Sequence, residues 1–175
     1  MVEDRELWER IRLGEAQAFD TLYREMAPRL LGYLRQVVGN RQAAEDLMQE
    51  AFTQMWRSPN GFTPERGTLR AYMFGVARKH AAEWWRNRGR TDRNVVEEGI
   101  EFKTETASLV GDAFRQLPEE QRTLLWLREV EGQSYAELAQ ILEIPIGTVR
   151  SRLFTAREEL RKVWHSTPPG KEEDA

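Results

Sequence analysis

QSYAELAQILEIPIGTVRSRLFTAR, from Gln133 to Arg157, is the stretch on which the fold turns. Ser134 and Glu137 form the Ser-x-x-Glu pattern of a capping box, so a helix begins there. Ala136, Leu138, Ala139, Ile141 and Leu142 then place apolar side chains at helical spacing. A tight turn at Glu143-Ile144-Pro145 ends that helix and starts a longer, basic one. In the second helix Val149 and Leu153 (i, i+4) face inward, while Arg150, Ser151, Phe154 and Arg157 face outward or sideways. A short helix, a tight turn and a helix presenting arginines and hydroxyls make a helix-turn-helix of the kind that enters the major groove.

Each outward side chain has a plausible chemistry on DNA. Arg150 and Arg152 suit bidentate bonds to guanine or a phosphate clamp, Ser151 suits a base edge or phosphate, and Phe154 suits a thymine methyl. Thr148, at the helix start with free backbone N–H groups, suits a phosphate. Arg157 extends the same face one turn further. The competing interpretation is an ordinary helical hairpin whose arginines are merely solvated.

Working outward, the 175 residues carry a net charge of −3, yet the charge is unevenly spread. Arg66 to Arg93 holds eight cations against two acids, and Pro145 to Lys162 holds five against two. Two basic patches on an acidic frame fit a protein that touches a polyanion at two places. No apolar run approaches the ~20 residues needed to span a bilayer, and the start MVEDRELWER is too charged for a signal peptide. No membrane insertion and a cytoplasmic location are therefore expected. Cysteine is absent, and His80 and His165 stand alone, so neither a metal site nor a cofactor is expected. No glycine-rich phosphate loop and no nucleophile beside a histidine occur, so no catalytic residue is assigned.

The pattern is helical nearly throughout, and the fold class read from it is all-α. Helices are expected at Glu3–Leu13, Ala16–Met26, Pro28–Val38, Arg41–Arg57, Thr68–Arg88, Ser108–Gln116, Glu119–Glu131, Tyr135–Leu142 and Ile146–Trp164. Pro28 should begin a new helix or kink one. The acidic stretch NVVEEGIEFKTETA, Asn94 to Ala107, lacks helical periodicity and reads as a linker between two small helical domains.

Two further constellations matter. In TLRAYMFGVARKHAAEWWRNRGR, Thr68 to Arg90, aromatics interleave with bases. Tyr72, Trp84 and Trp85 could stack on unpaired bases while Arg78, Lys79, Arg86 and Arg88 bind phosphates; burial in a core is at least as good a reading for any one aromatic. In AEDLMQEAFTQMW, Ala44 to Trp56, the side bearing Asp46, Gln49, Glu50 and Gln54 is acidic, either a solvated face or a docking helix for a basic protein.

AEDLMQEAF, GTLRAYMFGVAR with its basic continuation, and the run from Leu117 to Arg157, in this order and over about Ala16 to Val163, resemble the bacterial sigma factors of RNA polymerase, in their short extracytoplasmic-function (group IV) form. The resemblance implies sigma region 2 over residues 1–94, a linker at 95–107 and sigma region 4 over 108–165; the tail at 166–175, with Pro168-Pro169-Gly170, is expected from its composition to be disordered. It implies that Asp46, Gln49 and Glu50 dock on the β′ clamp helices of core polymerase, with the β flap as a further contact. Phe62 in the Ser58–Gly67 loop, with Tyr72, Arg78, Lys79 and Arg86, then falls on the surface that opens the −10 element and holds a flipped base. Thr148, Arg150, Ser151, Arg152, Phe154 and Arg157 fall on the helix that reads the −35 element. The family also implies promoter DNA as ligand and an anti-sigma factor as a regulatory partner. Three positions depart from its usual pattern: Tyr72 where tryptophan is common, Arg78-Lys79 where Arg-Asn is common, and Thr155 where a base is common. Two other readings compete: a helix-turn-helix regulator that dimerises through its N-terminal helices, and an anti-sigma or scaffold protein.

Overall fold

The computed structural model describes residues 4–88 and 111–166; the linker expected at 95–107 and nearly all of the expected tail lie outside them. Among the described residues there are helices and turns but no strands. The first half holds α1 (Asp4–Arg12), α2 (Ala16–Val38), α3 (Arg41–Arg57) and α4 (Leu69–Arg88), with two 3-10 turns, Pro59–Gly61 and Pro64–Arg66, between the last two. Residues 111–115 are helical, and α5 (Glu119–Leu125) runs into a π-helical turn, Trp126–Val130. The helix-turn-helix is α6 (Tyr135–Leu142) followed by α7 (Ile146–Ser166).

Local chemistry sets most boundaries. Asn40 caps α3 by accepting from the Ala43 N–H at 2.8 Å, and Gly39, at φ 63°, closes α2 in the left-handed conformation that glycine takes without a Cβ clash. Thr68 caps α4, accepting from Ala71 N–H at 3.1 Å, and Asp4 of α1 reaches across to accept from Leu69 N–H at 2.8 Å. Pro28 neither starts a helix nor divides one: α2 continues through it. Its ring lies on the exposed side of the helix. There the unpaired carbonyl of the preceding turn can be met by water rather than left buried.

The two halves do not stand apart as independent bundles. Leu30, Tyr33, Leu34 and Phe74 from the first half share one continuous buried cluster with Leu124, Leu127, Leu138 and Ile141 from the second. Glycines allow the approach. Gly75 of α4 faces the Ile141 backbone at 3.9 Å and Gly32 of α2 faces the Trp126 ring at 3.5 Å, distances measured from where a Cβ would stand. A Cβ on Gly67 would collide with the Gln140 amide.

Candidate nucleic-acid interface

The helix-turn-helix forms as its residues dictate. Ser134 Oγ accepts from Glu137 N–H at 3.1 Å while a Glu137 carboxylate oxygen accepts from Ser134 N–H at 2.7 Å, the reciprocal pair expected of a capping box. Val149, Leu153 and Ala156 bury one side of α7 against α5 and α6. Arg150, Ser151, Arg152, Phe154 and Arg157 lie exposed on the remaining surface. Phe154 is 68% exposed, so its ring takes no part in the core that the buried side of α7 joins.

The outward side chains are not equally available. Arg152 is ion-paired with Glu120 of α5. Arg157 grips Glu129 of the π turn through Nη2 at 2.6 Å and Nε at 3.1 Å, and this bonding raises its pKa further above the ordinary arginine value. Ser151 donates to the Thr148 carbonyl and Thr155 to the Ser151 carbonyl, both at 3.1 Å, leaving their hydroxyl oxygens to accept. The Thr148 and Val149 N–H groups already bond to the Pro145 carbonyl, at 2.9 and 3.1 Å, so Thr148 does not bring the free N–H expected of it. Arg150 carries no ion pair among the described residues and is the uncommitted cation of this face.

The aromatic-basic helix is arranged differently. Phe62 is 2% exposed, edge-on to Trp8 at 5.8 Å and tilted against Tyr72 at 5.6 Å, so it has no ring face to offer a base. It packs the loop against α1, whose Trp8 indole also donates to the Pro59 carbonyl at 2.7 Å. Trp85 is buried with its indole N–H on the Val37 carbonyl at 3.2 Å, a core role. Tyr72 and Trp84 keep partial exposure; burial raises the Tyr72 phenol pKa, and Arg88 lies over the Trp84 ring at 4.5 Å. Arg78 and Lys79, adjacent in sequence, both turn toward the helix-turn-helix. Arg86 stays exposed at the rim of a cleft of about 380 Å³ that Arg78, Lys79, Trp85, Glu119 and Glu143 also line.

Asp46, Gln49 and Glu50 share the exposed side of α3, as its periodicity requires. Asp46 accepts from the Gln42 amide at 3.0 Å, and Glu50 lies 3.5 Å from His80 on α4. Thus three surfaces emerge: an acidic one on α3, an aromatic-basic one on α4 and a basic one on α7. Sequence reasoning missed a set of residues between the last two. Glu131, Gln133, Glu137 and Glu143 all face the first half; their only advance signal was three glutamates spaced six apart, too weak to read alone.

Residues 22–91 match the family described as Sigma-70 region 2, and residues 108–160 match Sigma-70, region 4. The chain is 33% identical over 180 residues to the RNA polymerase sigma-H factor of Pseudomonas aeruginosa, spanning 91% of this chain and 93% of that protein. It is 31% identical over 175 residues to the ECF RNA polymerase sigma-E factor of Haemophilus influenzae, spanning 89% and 92%. Among solved structures it shares the fold of CnrH in complex with the cytosolic domain of CnrY, with a TM-score of 0.74, 21% identity, and 94% of this chain and 98% of that one covered. It also shares the fold of the sigma factor RpoE from Bartonella quintana in complex with the anti-sigma factor NepR, with a TM-score of 0.73, 24% identity, and coverage of 87% and 99%. The chain belongs to the sigma-70 family, in its extracytoplasmic-function class: it is an alternative sigma factor that directs transcription initiation.

Proposed function

We propose that α7 reads the −35 element as duplex and that α4 with the preceding loop holds the opened −10 strand. On this reading α3 docks on the β′ clamp helices of core polymerase through Asp46, Gln49 and Glu50, and the second half meets the β flap. The observation that carries it is the outward face of α7, where Arg150 and Phe154 stand free on a capped helix-turn-helix. Arg150 supplies direct base readout, Phe154 an apolar contact with a thymine methyl, and Arg152 and Arg157 reach phosphates once they leave their glutamates. On α4 the stacking falls to Tyr72 and Trp84 and the phosphate contacts to Arg78, Lys79, Arg86 and Arg88, while Phe62 and Trp85 support the surface from beneath. The protein performs no chemistry of its own and acts in the cytoplasm by differential binding; no described helix is long and apolar enough to cross a membrane. The Bartonella quintana sigma factor that shares this fold has been solved with the anti-sigma factor NepR, and a partner of that class is proposed here also.

Run-off transcription by core polymerase with this protein, on a library randomised at both elements, tests the reading. Selection of a paired −35 and −10 sequence is expected. Tight duplex binding as a two-fold dimer without polymerase would instead favour a conventional helix-turn-helix regulator.

A further inference from the structure

α3 and α4 bury apolar side chains against one another, and where that contact reaches the surface a row of polar groups crosses it. Gln54 of α3 accepts at Oε1 from His80 Nε2 of α4, 2.9 Å away. An amide oxygen only accepts, so this bond places a ring proton on Nε2. The other ring nitrogen, Nδ1, lies 3.5 Å from Glu50 Oε2 and donates to it only when the ring carries its second proton. Gln54 also hydrogen-bonds the Tyr72 phenol, and this bond opposes the rise in the phenol pKa that burial causes. With the amide oxygen taken by His80, an amide N–H is what Gln54 offers the phenol. Donation thus runs one way, from His80 to Gln54 and from Gln54 to Tyr72. Neither Gln54 nor His80 belongs to the buried core, so packing alone does not require them.

The loop before α4 adds an independent observation. A Cβ on Gly61 would stand 2.5 Å from the Tyr72 hydroxyl oxygen and 3.5 Å from the ring carbon that bears it. Gly61 ends a 3-10 turn and is not among the positive-φ glycines, so its backbone would accept alanine. What needs glycine there is room for the hydroxyl. Phe62 lies tilted against the same ring at 5.6 Å. The phenol is therefore held by the loop, by Phe62 and by Gln54, while its ring keeps partial exposure.

We propose that Gln54 and His80 are positioning residues of the strand surface: their relay fixes the polarity of the Tyr72 hydroxyl, which presents its O–H to an acceptor on the −10 strand, a base carbonyl or ring nitrogen. The proposal rests on the reading of α4 as that surface. An unsupported phenol turns its O–H freely and meets donors and acceptors alike. One whose oxygen already receives from Gln54 directs its proton outward. Stacking tolerates every base, so the directed hydroxyl supplies a selectivity that stacking lacks.

The test uses the full chain assembled with core polymerase at saturating protein, so that any docking defect is read separately. It is titrated with a fluorescent single-stranded DNA carrying the −10 sequence selected in run-off transcription, and with its single-base variants. Gln54→Leu and His80→Leu break the relay; His80→Gln keeps an N–H near the place of Nε2. Each leucine variant is expected to weaken binding of the preferred strand about two- to tenfold, the range of one hydrogen bond, and to flatten base preference at one position. His80→Gln is expected to restore both. In a Tyr72→Phe background the leucine variants have no hydroxyl left to direct and are expected to add no further loss. A loss that persists in that background, or that falls equally on every strand variant, marks a structural role and overturns the relay. Undiminished, fully selective binding by both leucine variants overturns it as well. If Tyr72→Ala leaves strand binding unchanged, the strand reading of Tyr72 fails and the relay fails with it.

Discussion

α4 and α7 are basic helices of nearly equal length, 20 and 21 residues, and in sequence both read as open nucleic-acid surfaces. In the folded chain they part. α7 buries three residues, Val149, Leu153 and Ala156, and leaves Arg150 and Phe154 to solvent. α4 buries eight, among them Phe74 and Trp85, and commits Arg70, Arg78 and Lys79 to the other half of the chain. Charge in a sequence is not the same as charge available to a ligand. The difference fits the roles proposed for them: a duplex reader gains specificity from base edges and can stand open, whereas a strand binder works through phosphates and stacking that any single strand offers.

The comparison breaks hardest at α6, which lies against both helices. Leu138→Ala removes a fully buried side chain and should cost about 2–5 kcal/mol, partly through the cavity left behind. Urea melts should show this loss, with weaker −35 duplex binding and wider exposure of α4. Arg150→Ala sharpens the contrast from the other side. It should cost about 1–3 kcal/mol on the preferred −35 sequence and relax preference at one base pair, with single-strand binding unchanged. An equal loss on every duplex, measured by titration across single-base variants, would demote Arg150 to a phosphate contact. Ser134→Ala should cost about 1 kcal/mol of thermal stability by orphaning the Glu137 N–H, and it loosens the Glu137 carboxylate that also accepts from Thr68.

The smallest effect is that of pH. A hydrogen bond from Lys79, reinforced by its charge and that of Arg78, holds the Glu143 carboxyl below its ordinary value of 4.5. A depressed carboxyl contributes its stabilisation above 4.5 and loses it as pH falls below that value through the depressed one. At the same contact between the halves, Glu131 shifts the opposite way, because burial raises its pKa against the pull of Arg29 and Arg70. The part of the melting temperature that Glu143 supplies should therefore hold steady through neutral pH and fade only below 4.5.

What the sequence made legible was local. The capping box of Ser134 and Glu137, the inward pair Val149 and Leu153, and the acidic side of α3 all follow from bonds and spacings within a turn or two, and each stands as read. Pro28 does not begin the separate helix expected of it, because a proline's effect depends on which side of the helix faces water, a tertiary matter. The burial of Phe62 was not legible for a related reason: Trp8, which packs edge-on against it, comes from the far end of the half. The engagement of Arg78 and Lys79 by Ile141 and Glu143 joins residues distant in sequence, and no local periodicity announces it.

The central claim is that α7 reads duplex while α4 holds the opened strand. Core polymerase carrying the parent chain, Arg150→Ala or Tyr72→Ala, titrated with a −35 duplex and with a −10 single strand, measures this directly. The expected result is that Arg150→Ala weakens only the duplex and Tyr72→Ala only the single strand. Equal weakening of both ligands by either variant would contradict the account.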